Sequence, residues 1–231
     1  MITGLGDSYI DTAKGRVWIK AKATADFINS LQLDEGMGAF AAPNYPGSRE
    51  KKALERIAHN QESNIILASS EERAIVGFVA IAPPSQAERW GKYGGKGLIE
   101  AMAIEVSRDW RSMGIANRMM ESGIGDPFFD DKILICTGYS WHWDLDSTGL
   151  DKQAYRSMLL RYLEKAGFMY YETDEPNINL DYANFFTARM GPRVSSELYD
   201  RFERMLFKDE AWADFSGRPR TIREVLGEGR H

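Results

Sequence analysis

Six consecutive residues, Arg111-Ser112-Met113-Gly114-Ile115-Ala116, have the make-up of an anion cradle. The apolar run Leu98 to Val106, broken only by Glu100 and Glu105, precedes them and predicts a largely buried strand. Ile115, Ala116, Met119 and Met120 follow at helical spacing, so the helix is expected to start at Gly114. Gly114 and Ala116 put little side chain in a ligand's way. The first turn of a helix offers unpaired N–H groups and the positive end of the dipole, which together favour a phosphate. The alternative is an ordinary strand–turn–helix corner. Glu100 and Glu105 are five positions apart and point to opposite faces of their strand, barring a bulge. Tyr139, Trp141, His142, Trp143 and Asp144 crowd one loop after a second apolar strand. Cys136, inside that strand, reads as a buried small hydrophobe rather than a nucleophile. His59, His142 and His231 are far apart in sequence and no second cysteine supports them, so no metal site is expected.

The elements that must position these groups follow from periodicity and punctuation. Residues 1–8, with Gly4 and Gly6, read as loose. Arg16 to Ala21 predicts a first strand, with Val17 and Ile19 on one face and Trp18 on the other. Thr24 caps a short helix through Leu31. An irregular stretch from Gly36 to Gly47 contains Pro43 and Pro46. Ser48 then caps a helix from Arg49 to about His59, whose stripe is Ala53, Leu54 and Ile57. Asn64–Ser69 and Ala74–Ala82 predict a hairpin ended by Pro83-Pro84. Residues 85–96 read as a polar loop. After the acidic strand and the cradle helix comes a strand, Lys132–Gly138. Beyond the aromatic loop, Leu150 to about Ala166 predicts a helix with Tyr155, Met158, Leu159, Tyr162 and Leu163 on one face, closed by Gly167. Phe168–Thr173 reads as a strand and Asp181–Met190 as a helix. Ser195 or Ser196 caps a last long helix with Leu198, Phe202 and Leu206 as its stripe. The polar end, Lys208 to His231, leaves room for a short helix around Thr221 to Leu226.

The 231 residues are 43% hydrophobic and 27% charged, enough for one sizeable globular domain. A net charge of −5 argues against nucleic acid as the main partner. A single cysteine excludes an internal disulfide. No apolar run approaches the ~18 residues of a membrane span and no signal peptide is visible, so the cytoplasm is the expected compartment.

R-x-x-G-x-A after an acidic strand resembles the acetyl-CoA signature of the GNAT acetyltransferases. An ordered set of further phrases extends the likeness: ERW (Glu88–Trp90), AIEV (Ala103–Val106), YSWHWDL (Tyr139–Leu145), TGL (Thr148–Leu150), TDEP (Thr173–Pro176) and ARMG (Ala188–Gly191). Together they resemble the acetoin-utilisation protein acetyltransferases, bacterial enzymes that acetylate acetyl-CoA synthetase. The likeness runs over roughly residues 8–209. It implies a GNAT-like α/β fold, a mixed twisted sheet flanked by helices, in a domain of residues 1–209 followed by a polar extension, 210–231.

The resemblance also implies roles. Acetyl-CoA would be the co-substrate, with no metal. Backbone groups of Ser112 to Ala116, with Arg111, would hold its pyrophosphate. Val106 would pair with the pantetheine arm, and the N–H near Ile104 would meet the thioester carbonyl as charge develops on it. The acceptor would be a lysine of acetyl-CoA synthetase. A free lysine amine costs about 4.6 kcal/mol to deprotonate at pH 7, so a base is needed. Glu100 stands where GNAT enzymes with a strand glutamate carry that base; a glutamate paired with Lys or Arg at the sheet rim is the other reading. Glu105 reads first as structural, with the AIEV match keeping it a candidate. His142 is a second proton-handling candidate, while Tyr139, Trp141, Trp143 and Asp144 would recognise the acceptor or pack the loop. Two stretches resemble the GNAT helix that supplies a tyrosine acid: Tyr162 to Phe168, and Asp181 to Gly191 with Thr187 at the tyrosine place. A small-molecule amine acetyltransferase and a catalytically weak acetyl-CoA-binding regulator are the alternative functions; oligomers are compatible with either.

Overall fold

In a computed structural model, which describes residues 6–38, 48–208 and 218–228, the chain forms two units. One comprises residues 1–82 and 101–126, the other residues 83–100 and 127–231.

The first unit opens with a hairpin of β1 (Ser8–Thr12) and β2 (Gly15–Lys20), paired from Ser8↔Ile19 to Thr12↔Gly15. The expectation of a loose start through residue 8 therefore gives way to a strand, because Tyr9 and Arg16 supply a cross-strand pair with the guanidinium 4.0 Å over the ring. Thr24 caps α1 (Ala25–Asn29) by accepting from Phe27 N–H, and β3 (Gln32–Leu33) joins β5 in parallel. The irregular stretch expected before residue 48, with both its prolines, lies mostly outside the described residues, as does the Ser48 side chain. α2 (Ser48–Ala58) follows, then β4 (Asn64–Ser70) and β5 (Ala74–Ala82) as the expected antiparallel hairpin. Strand order in this unit is β1-β2-β4-β5-β6, where β6 (Leu98–Val106) begins in the other unit and ends here. Every residue of β4 is buried, since Ile65 and Leu67 pack with Ile28, Leu31 and Leu54 while Ile66 meets α4 (Ile115–Ile124) at Gly123. A strand covered on both faces is apolar without alternation.

In the second unit, the segment read as a polar loop contains α3 (Arg89–Gly94). Three glycines in Gly91-Lys92-Tyr93-Gly94-Gly95 hide any apolar period. Gly91 is required, because a Cβ there would sit 2.1 Å from the Ser85 carbonyl oxygen. The first residues of β6 run parallel to β7 (Ile133–Gly138), pairing Leu98↔Ile133 and Glu100↔Ile135. Then come α5 (Leu145–Thr148), α6 (Lys152–Lys165), β8 (Met169–Tyr170), α7 (Pro176–Asn179), β9 (Phe185–Met190), α8 (Ser196–Leu206) and α9 (Ile222–Val225). Strand order here is β6-β7-β9-β8. The mixed α/β class expected of the chain holds.

Residues 185–190 correct the expected helix at Asp181–Met190. β9 pairs antiparallel with β7 from Gly138↔Phe185 to Ile133↔Met190. Both of its faces are covered. Phe186 stacks on Trp90 at 4.3 Å, and Phe185 lies 6.3 Å from Trp143. Consecutive apolar residues then imitate a helical stripe. Asp181 and Asn184 use their side chains outside any helix, on Ala183 N–H and on Ser140. The stripe of α6 also differs: its buried residues are Arg156, Leu160 and Leu163, while Met158 is exposed. At the chain's end, α9 has the capping box of Thr221 and Glu224, and Tyr170 pairs with Arg220. Phe186, fully buried between Trp90 and Phe202, is the centre of the second core. Phe186→Ala is expected to cost about 3–5 kcal/mol of stability, measured by urea unfolding followed through tryptophan fluorescence.

Candidate active site

The cradle lies in the first unit. Ser112 and Gly114 both take left-handed backbone, at φ 63° and 80°, on either side of Met113. Left-handed residues at such spacing are the backbone choice from which anion nests are made. Gly114 is the N-cap of α4 and makes no side-chain cap bond, and no acidic residue stands in the first turn. A Cβ on Gly114 would lie 3.2 Å from Ile10 Cδ1 in a conformation that L residues avoid. Arg111 Nε donates to the Val106 carbonyl at 3.2 Å, so the guanidinium folds back on the end of β6.

Asp34, which spacing gave no means of finding, holds the approach to this turn. It accepts from the Ser107 hydroxyl and, at 3.3 Å, from Trp110 Nε1, while Arg108 N–H donates to the Gly36 carbonyl at 3.2 Å. Glu105 is buried in the same unit. Its Oε1 accepts from Gly38 N–H at 2.7 Å, and it faces Glu50, whose carboxyl is pushed up by burial and then by the Glu105 charge.

Glu100 belongs to the second unit and is only 5% exposed. Its strand face carries Leu98, and the neighbouring strand adds Ile133 and Ile135, all part of the Trp90–Phe186 core. Thr137 Oγ1 donates to Glu100 Oε1 at 2.9 Å. Burial, reinforced by the charge of Glu88 and opposed by the Thr137 bond, raises the carboxyl to about 7. Among the described residues no Lys or Arg pairs with it, which removes the sheet-rim ion pair as an account of this glutamate.

In the same unit a cleft of about 210 Å³ is lined by Glu88, Lys92, Tyr139, Glu175, Asn177 and Lys208, of which Glu88 acts on the Glu100 carboxyl through its charge. Tyr139 is pushed up to about 12 by burial and then by Glu88, Glu100 and Glu175. Arg89, largely buried, also lines this cleft and is ion-paired to Asp174 and, at 2.7 Å, to Glu175. The aromatic loop divides. Trp141 stacks on Tyr139 at 4.8 Å yet is 51% exposed, and His142 meets both rings edge-on. Trp143 stacks on Tyr155 of α6 at 5.1 Å, and Asp144 closes the turn of α5 by accepting from the Ser147 hydroxyl. Ser140 fixes the loop from below, donating its N–H to Asn184 Oδ1 at 2.7 Å and its hydroxyl to Asp181 at 2.9 Å.

Thr187, one of the two tyrosine-place candidates, is buried on a strand and donates to the Cys136 carbonyl at 3.1 Å. The helix match at Asp181–Gly191 thus falls with the helix. Tyr162 stays on α6, its phenol raised by burial and then by Cys136. Cys136 is buried, and burial followed by the Glu100 charge lifts its thiol to about 12, against any role as a nucleophile. Among the described residues no cluster of three or more His, Cys, Asp or Glu has metal-binding geometry, and no helix is long and apolar enough to cross a membrane.

No family model matches the chain. Similarity to known proteins is nevertheless extensive. The acetoin utilization protein AcuA of Bacillus licheniformis is 33% identical over 198 residues, 86% of this chain and 92% of that protein. The AcuA of Bacillus subtilis is 32% identical over the same shares. The chain belongs to the AcuA family of acetoin utilization proteins. It is the family that the ordered motifs resemble. The crystal structure of an acetoin utilization protein from Exiguobacterium sibiricum superposes with a TM-score of 0.82 at 29% identity, over 87% of this chain and 93% of that one. The likeness covers residues of both units.

Proposed function

We propose that the protein transfers acetyl from acetyl-CoA to a lysine side chain of another protein, with acetyl-CoA synthetase as the acceptor. The observation that carries this reading is Glu100: a buried carboxyl whose ionisation falls near 7, on the strand that leads to an R-x-x-G-x-A turn. Acetyl-CoA supplies the activated thioester. The turn suits its pyrophosphate, since a nest of N–H groups with an uncapped helix start and a glycine where a Cβ would crowd Ile10 leaves room for an anion.

Glu100 first takes one proton from the acceptor ammonium, and the freed amine nitrogen then bonds to the thioester carbon. A carboxyl at about 7 narrows the proton-transfer gap to lysine to about 5 kcal/mol, against about 8 for an ordinary glutamate. The Ile104 N–H receives the charge that develops on the carbonyl oxygen. The carbon–sulfur bond breaks, and the departing sulfur takes up the second proton that the amine nitrogen sheds. Glu88 and Glu175 line the cleft, with Glu88 near enough to act on the base through its charge, and attract the acceptor's ammonium. Lys92 and Lys208 on the same cleft suit an acceptor set in a protein surface better than a bare polyamine. Acetylation removes the acceptor lysine's charge, which is how such a step would switch off its target.

Isotope-labelled acetyl-CoA, incubated with the protein plus acetyl-CoA synthetase or plus a panel of small amines and followed by mass mapping, tests the reading. A single acetylated lysine on the synthetase is expected. Label confined to the small amines would overturn it in favour of a small-molecule enzyme. Within this reading, His142 serves the acceptor from the exposed end of the aromatic loop. His142→Ala is expected to lower turnover more than tenfold while leaving the acetyl-CoA dissociation constant within about twofold; full turnover would reduce the histidine to packing on Tyr139 and Trp141.

A further inference from the structure

We propose that Thr137 is the positioning residue of the base: its hydroxyl fixes Glu100 Oε1 and leaves Oε2 as the oxygen that takes the acceptor's proton. The inference rests on the reading of Glu100 as base and adds to it a second residue and a choice of oxygen.

The parallel register of β6 and β7 sets Glu100 opposite Ile135. Thr137, two residues further along β7, shares that face. Its Oγ1–Oε1 distance of 2.9 Å is that of a formed hydrogen bond. Branching at Cβ restricts the threonine rotamer in a strand, so the hydroxyl's aim is set by the backbone. The other titratable groups that interact with the carboxylate cannot do this work. From α3's cap, Glu88 adds a like charge, and from β7 and the turn after it Cys136 and Tyr139 are both lifted to about 12 and stay neutral at physiological pH. The rest of the face is apolar, with Leu98, Ile133, Ile135 and Phe186. Among the described residues, Thr137 is therefore the group that favours the ionised carboxylate.

Thr137→Val keeps the volume and branching and removes the donor. It is expected to move the acid limb of the pH–rate profile upward by about one pH unit and to lower turnover at pH 6.5 roughly tenfold, with acetyl-CoA affinity unchanged. Thr137→Ser, which keeps a hydroxyl, should restore both. The Glu100 carboxyl, titrated by carbon-13 NMR in the same variants, should shift in parallel. Added to Glu100→Gln, the valine substitution should cause no further loss. An unshifted Glu100 titration in Thr137→Val overturns the proposal whatever the rates do, as does a serine variant that behaves like valine or a further loss in the glutamine background. If Glu100→Gln alone keeps full turnover, the base reading fails, and the titration then separates that failure from a failure of the Thr137 bond itself.

Discussion

Gly114→Glu is expected to abolish acetyl-CoA binding, raising the dissociation constant by about two orders of magnitude or more. The new carboxylate would lie at the N-terminus of α4, where the proposed pyrophosphate would bind. The structure adds a complication that spacing did not reveal: Gly114 has φ 80°, and a Cβ there meets Ile10 Cδ1 at 3.2 Å. Any side chain at this position carries backbone strain of about 1–2 kcal/mol. Gly114→Ala is the control, since it has the strain without the charge. Calorimetric titration of acetyl-CoA into both folded variants, with melting temperatures measured alongside, separates the terms. The alanine variant should melt lower but retain measurable binding, and the glutamate variant should lose it. Equal affinity in wild type and the glutamate variant would remove this turn from the cofactor site.

The sequence made the cradle and Glu100 legible for one physical reason: both are local. A strand, a left-handed glycine and a helix start leave their marks within twenty consecutive residues, and the cap at Thr24 and that at Ser195, one of two serines in question, are equally local. What failed depended on partners far along the chain. Residues 185–190 read as a helix because Phe185 and Phe186 stand side by side, and only the pairing with β7 and the stack on Trp90 show why both are apolar. The helix at Arg89–Gly94 was masked by glycines whose need is tertiary: Gly91 abuts Ser85 and Gly94 abuts Leu98. Thr137 and Asp34 were invisible as functional residues, since each acts on a group that the fold brings from 37 or 73 positions away. Of the tryptophans in the aromatic loop, spacing could not tell that Trp143 packs on α6 while Trp141 stays half in solvent.

Glu100→Gln is the substitution on which the proposed mechanism depends, and its expected result has two independent parts. The first is kinetic. Glutamine keeps the size and can still accept from Thr137, but it cannot take a proton, so turnover at neutral pH should fall by roughly 10²–10⁴-fold. Acetyl-CoA affinity should barely change, because the cradle is built from backbone of residues 111–116. The wild-type profile should show a limb near pH 7, where the carboxyl ionises, and the variant should lack it. Its deficit should shrink as pH rises toward the lysine pKa of ~10.4, where the amine loses its proton unaided. The second part is thermodynamic, and its sign follows from the direction of the shift. A carboxyl raised in the folded state binds its proton more tightly there than in the unfolded chain. Wild-type stability is therefore fully present below the ordinary glutamate pKa and declines as pH rises to about 7, by about 3 kcal/mol across that window. Glutamine has no charge to bury, so the variant should lack this decline and melt no lower than wild type at pH 8. A glutamate kept for structure alone gives the opposite pattern, with a lower melting temperature at every pH and a rate loss that pH does not alter. Parallel pH series of turnover and thermal unfolding on this one variant distinguish the two, and the structural pattern would pass the role of base to His142 or Glu105.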